Sequence, residues 1–236
     1  MEIDTRITPA LHPKNIEVVE GFNDEAISPY LGEAIQVLSN TYEGLAKVHT
    51  ARERLSKTPT MTDENKLLMV ADFADKSVTR IASGFDKCIA NLTKSIGSLE
   101  EMMNTPLESD AEKMNISGEI RNYSRGLSLD ERIRFLNDAV KNKDVKTLRA
   151  ILGAPAYLSG MNDVEQKLRT REYHRAMQPQ IESRLQALTK TRDLLLDRSR
   201  LIFEEAQKAI GGSYKEIKRI RELHNRAHDV LKFENS

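Results

Sequence analysis

Tryptophan is absent, cysteine occurs once, and aromatic residues make up only 5% of the chain. Sheet interiors draw on aromatic and β-branched side chains, so this scarcity argues against an all-β fold and suits helix-on-helix packing by Leu, Ile, Ala and Met. A single cysteine cannot form an internal disulfide, and it fits a reducing compartment. No apolar run approaches the roughly 20 residues that a membrane-spanning helix needs. The first residues lack a basic stretch followed by an apolar one, so no signal peptide is expected and cytoplasmic synthesis is. Neither sign of charge prevails: 36 basic residues face 36 acidic ones, so net charge gives no pointer to nucleic acid.

The motifs of common chemistries are missing too. Neither G-x-x-x-x-G-K nor G-x-G-x-x-G occurs, which removes the usual phosphate loops. There is no G-x-S-x-G elbow for a nucleophilic serine. A di-iron bundle needs a carboxylate three residues before its histidine, but Ala46, Arg171, Arg221 and Asn225 stand there before His49, His174, His224 and His228. His224 and His228 lie one helical turn apart, yet Asn225 occupies the place of a metalloprotease glutamate, and no third ligand is in view. Cys88 falls on an apolar helix stripe, where a thiol is packed and inert. The sequence therefore predicts no catalytic residue, no cofactor and no metal site.

What is present is helical periodicity. Residues 1–28 carry Pro9, Pro13 and Gly21 without a helical period, and read as an extended N-terminal arm. Two cations, Arg6 and Lys14, meet six acids there, including Glu17, Glu20 and Asp24. Such an arm is either a solvated tail or a docking segment that orders on a partner. Over 29–106 a helical hairpin is expected. Ser28-Pro29 starts it, Leu31, Ile35, Leu38, Tyr42, Leu45 and Val48 form one stripe, and Pro59 interrupts it. A second helix repeats in steps of four and three from Leu67 through Ala71, Ala74, Val78, Ile81, Phe85, Cys88, Leu92, Ser95, Leu99 and Met102. If helical from Thr62 to Asn104, this segment would span about 64 Å, longer than the roughly 45 Å diameter of a compact domain of this length.

Residues 107–162 change character, with short helical segments between glycines. Ser128-Leu129-Asp130-Glu131 reads as a capping box, and Asp144 as another cap. Over 163–236 a long helix, interrupted at Pro179, carries Ile181, Leu188, Leu195, Ile202 and Ala209, and a last helix packs on the hairpin. That last helix follows Gly211-Gly212-Ser213, places Tyr214, Ile217, Ile220, Leu223, Ala227, Val230 and Leu231 on an apolar line, and is locally basic through Lys215, Lys218, Arg219, Arg221, Arg226 and Lys232. The fold class expected is all-α: an elongated bundle of long antiparallel coiled-coil-like hairpins with a short-helix insert.

The stretch from Asn142 to Gly160, and most of all Leu152-Gly153-Ala154-Pro155-Ala156-Tyr157-Leu158-Ser159-Gly160, resembles a segment of uncharacterised helical proteins of tailed bacteriophages and prophages. The resemblance covers roughly residues 128–210 and carries no catalytic motif. It implies a phage origin and a non-enzymatic virion structural role, with attachment to capsid, portal or tail proteins through helical surfaces. A transient capsid assembly scaffold and a host-directed regulatory binding protein stay open as alternatives. The expected partners are other virion proteins and further copies of the chain in a symmetric arrangement, with neither membrane nor nucleic acid. The expected location is the host cytoplasm during assembly and then the virion. The interaction residues expected from charge are Lys215, Lys218, Arg219, Arg221 and Arg226 on the basic helix, with Glu17, Glu20 and Asp24 on the acidic arm. The arm of one copy would lie against another chain.

Overall fold

The computed structural model describes residues 3–107 and 114–232, with the backbone alone at 114, 228 and 230–232. Among them are eight α-helices and no strand. In chain order these are α1 (Ser28–Ser56), α2 (Asp63–Asn104), α3 (Met114–Gly126), α4 (Leu129–Lys141), α5 (Val145–Leu152), α6 (Asp163–Met177), α7 (Pro179–Ile210) and α8 (Tyr214–Lys232). The all-α class read from composition and period is what the chain adopts. No helix among the described residues is long and apolar enough to cross a membrane.

Local signals place most helix ends. Ser128 and Glu131 form a reciprocal capping box at α4, and Asp144 accepts a hydrogen bond from Thr147 N at α5. Asn162 caps α6 by accepting from Glu165 N, and Ser213 caps α8 by accepting from Glu216 N. The break expected at Pro179 separates α6 from α7 at Gln178. The start of α1 differs from expectation. Ile27 occupies the cap position without a side-chain bond, and Ser28 already lies in the helix.

Two units partition the chain. The first comprises Met1–Thr93 and Ala187–Ser236, the second Lys94–Gln186. The short-helix insert is thus wider than the 107–162 read from glycine placement, because it takes in the end of α2, all of α6 and the start of α7.

In the first unit, α1 and α2 run in opposite directions. Glu33 accepts hydrogen bonds from Asn91 near one end, and Val48 shares an apolar cluster with Val70, Ala71 and Ala74 near the other. Ile217 of α8 and Ala209 and Ile210 of α7 complete that cluster. The stripe on α2 holds through Ala71, Ala74, Ile81, Phe85, Cys88 and Leu92, all buried, while Leu67 and Val78 are only half-buried. Beyond Leu92 the buried positions become Ile96, Leu99 and Met103, and Ser95 and Met102 are exposed. A strict seven-residue repeat drifts by about 20° per heptad around an ordinary α-helix, so the buried line moves over by one residue.

The largest departure is at the N-terminus. Residues 3–27 are not an extended arm. They form 3-10 turns at Pro9–Leu11 and Pro13–Ile16 and bury Ile7, Leu11, Ile16, Val19 and Ile27. The apolar side chains recur with no helical period because the turns that present them are irregular.

The second unit gathers Leu136, Ala139, Leu148, Ile151, Leu152, Ala156, Met161 and Tyr173 into one core. Its Leu152–Gly160 turn is fastened by side chains that reach its carbonyls. Gln166 donates to Leu152 O and Ala154 O, and Ser124 donates to Ser159 O. Ser159 itself donates to Ile151 O, and Arg121 to Ala150 O. Gly160 closes the turn at φ +77°, and a Cβ there would sit 3.1 Å from the Arg125 Cα. Glycine is therefore required on both conformational and steric grounds.

Candidate interaction surface

The basic helix α8 and the acidic N-terminal segment both belong to the first unit. On α8, Ile217 and Ile220 are buried. Lys215, Lys218, Arg219 and Arg226 are all exposed and, with Glu222, follow helical spacing around the opposite face. Arg221 differs from them. It reaches back to α2 and pairs with Asp72 at 2.5 Å and Asp75 at 3.0 Å, so it fastens the helix rather than facing a partner. The expected apolar line is only partly covered: Tyr214 is 76% and Leu223 51% exposed, and Ala227 is exposed. The side chains of Val230, Leu231 and His228, also singled out by sequence, lie outside the described residues.

The acidic residues are likewise partly occupied. Glu20 pairs with Lys190 of α7 at 2.8 Å, which lowers its carboxyl below the usual range through that hydrogen bond and charge. Asp24 accepts from Ala26 N and shapes the turn before α1. Glu17 is exposed, beside an exposed Val18. Four further contacts hold the segment down. The Tyr42 hydroxyl donates to Asp4 O and accepts from Asp4 N, and Arg6 pairs with Glu53 at 2.7 Å. Buried Glu205 accepts from Thr8 N, and the His12 ring stands edge-on to Tyr42 with centroids 5.0 Å apart. Asp4 is held down to about 2, chiefly by its hydrogen bond from Arg6.

Between α2, α7 and α8 lies a groove of about 440 Å³ that the sequence did not disclose. Val78 and Ala71 come from α2, Phe203, Ala206 and Ile210 from α7, and Tyr214 and Ile217 from α8. Asp75, Thr79, Gln207 and Arg221 supply polar rim groups. Phe203 is 59% exposed. Phe203 stands between Ile202 and Glu204, one residue off the Ile202–Ala209 line, so the period does not require it to be buried. Tyr214, expected on the apolar line of α8, forms a wall of the groove.

No family model matches the chain, and no curated protein or solved structure does.

Among the described residues no group of three or more His, Cys, Asp or Glu side chains is placed to hold a metal ion. Cys88 is fully buried, and its thiol is pushed up to about 11 by burial, with Glu33 adding to the effect. At neutral pH it is a packed thiol rather than a nucleophile. His49 is held below the ordinary histidine value, first by burial and then by the charge of Arg6, against the opposing pull of Asp4 and Glu205.

Proposed function

We propose that this chain is a non-enzymatic assembly protein that docks through helical surfaces. In the setting its sequence resemblance implies, it attaches to capsid, portal or tail components of a phage particle as multiple copies. The observation that carries the docking reading is the α2–α7–α8 groove, where Phe203 and Tyr214 present exposed rings over apolar residues, with the exposed cation row on the other face of α8. Large exposed aromatics flanking a groove match the anatomy of interaction sites, in which rings supply contact area and peripheral charge supplies orientation. The occupant is an amphipathic helix with acids along its edge. Opposite charge on the Glu17 side of one copy and on α8 of another would add contacts between copies. Coiled-coil-like pairing of the long helices belongs to the same reading.

Mass spectrometry of purified mature particles tests the setting: the chain should be present in fixed ratio to a structural component. The Phe203→Ala/Tyr214→Ala pair should remove it from particles without reducing its helicity or thermal stability. A second reading, the transient scaffold, draws support from the exposed cations of α8, which suit reversible docking to an acidic coat surface. It predicts the chain in precursor heads and its loss from mature ones. Absence from both would leave the host-directed reading.

A further inference from the structure

A second cleft, separate from the groove, opens between α1 and α2 and has a volume of about 500 Å³. Its floor is Val37 and Ile81, and its walls carry Lys47 from α1 and Lys76 and Arg80 from α2, with Glu43 the only acid among the lining residues. None of the three cations forms an ion pair or hydrogen bond with a described residue, although the surface elsewhere is rich in pairs. Lys76 and Arg80 are one turn apart, about 6 Å along the helix axis, so one short polyanion can reach both while Lys47 closes from the other helix. Asn40 adds a donor, since Gln36 occupies its carbonyl oxygen at 2.8 Å and leaves its amide hydrogens available. Phe73, one turn before Lys76 and 42% exposed, offers a flat apolar face at the same end. Two small residues shape the space. Gly44 lets α1 approach Ile81 closely, whereas a Cβ at Gly84 would meet nothing within 4 Å.

We infer that this cleft binds a nucleotide-type ligand, its di- or triphosphate chain held by Lys47, Lys76 and Arg80 and its planar ring lying on Phe73. Three cations around one acid leave a local excess of positive charge, which a phosphate chain neutralises through charge-assisted hydrogen bonds. An aromatic face beside them suits a planar ring, a contact that a bare inorganic anion lacks.

Calorimetric titration of the full chain with ATP, with sodium tripolyphosphate and with a short single-stranded oligonucleotide tests this. ATP should bind saturably at one site per chain, more tightly than tripolyphosphate, and more weakly as salt rises. Lys76→Ala/Arg80→Ala should weaken ATP about tenfold, because two exposed charge contacts are lost together. Glu43→Gln should tighten it about two- to fivefold by removing the one repulsive charge. Gly84→Leu, which has open space to occupy, should block binding while leaving the circular dichroism spectrum and melting temperature in place. Absence of saturable ATP binding, or binding that ignores these substitutions, overturns the site. Equal affinity for tripolyphosphate overturns the ring contact, and an oligonucleotide preferred with affinity growing in length overturns the small ligand.

Discussion

The N-terminal segment and α8 are opposites in sequence and opposites again in structure. The first has no apolar period, two prolines and a net acidic charge, yet it buries five apolar side chains and is fastened to α1 and α7 by polar contacts. The second has a clean amphipathic period, yet it buries Ile217 and Ile220 and leaves Leu223 half in solvent. Periodicity reports how many residues a helix could bury on one side. What is buried depends on the surface available, and irregular turns can fill a surface that no regular helix would fit.

Substitutions can break this contrast, and the largest effect is expected on the side that the sequence undervalues. Leu11→Ala removes a side chain with no exposure and should cost about 2–5 kcal/mol, whereas Leu223→Ala should cost under about 0.5 kcal/mol. Urea unfolding of the two variants decides it, and equal losses would mean α8 is covered. Removing residues 1–28 follows the same reasoning. It would expose the apolar surface of α1 and lower stability, so charge reversal at Glu17 is the cleaner probe of assembly.

Arg221→Ala comes next. It removes both surface pairs to Asp72 and Asp75, and loss of about 1 kcal/mol or less is expected, together with faster proteolysis of α8. Unchanged cleavage would show that Ile217 and Ile220 suffice to hold the helix.

A smaller effect concerns pH. His49 sits below its ordinary 6.5 in the folded chain. The unfolded chain therefore takes the proton more readily, and stability should fall as pH drops through about 6.5, with no contribution above it. Melting temperatures between pH 7.5 and 5.5 should decline less steeply in His49→Gln than in the parent. Parallel slopes would show that His49 does not set this pH dependence.

The smallest stability effect belongs to the exposed row. Lys215→Glu/Arg219→Glu should shift unfolding by under about 0.5 kcal/mol. If α8 is a docking face, the same variant should weaken assembly and its salt dependence. Assembly indifferent to both would confine docking to the groove.

These contrasts also explain what could be read from the chain beforehand. Helix identity, the capping box at Ser128, the break at Pro179 and the burial of Phe85 and Cys88 are local or periodic, and each was legible. The insert's true limits were not, because Tyr173, with the partly buried Met177 packed against it, joins its core from a segment that reads as separate. Among the expected interaction residues, Arg221 and Glu20 are committed to intramolecular pairs, because complementary charges lie on the neighbouring helices. Charge on a face does not reveal whether an opposite charge waits on the next helix. The groove was hidden for a similar reason: it needs Phe203, Tyr214 and Val78, which are distant in sequence and unremarkable singly.

Thr8 meets Glu205 across 197 positions of chain, and Glu20 meets Lys190 across 170. The second unit's core, by contrast, is drawn from one continuous stretch. During synthesis the ribosome releases that stretch whole before α7 is complete, so its core can close while the chain is still growing. The N-terminal segment emerges first and finds α1 early, but its seat on α7 does not yet exist. Thr8 and Glu20 must wait through most of translation for their partners on α7, a delay set by chain order. A pause before α7 would lengthen that wait.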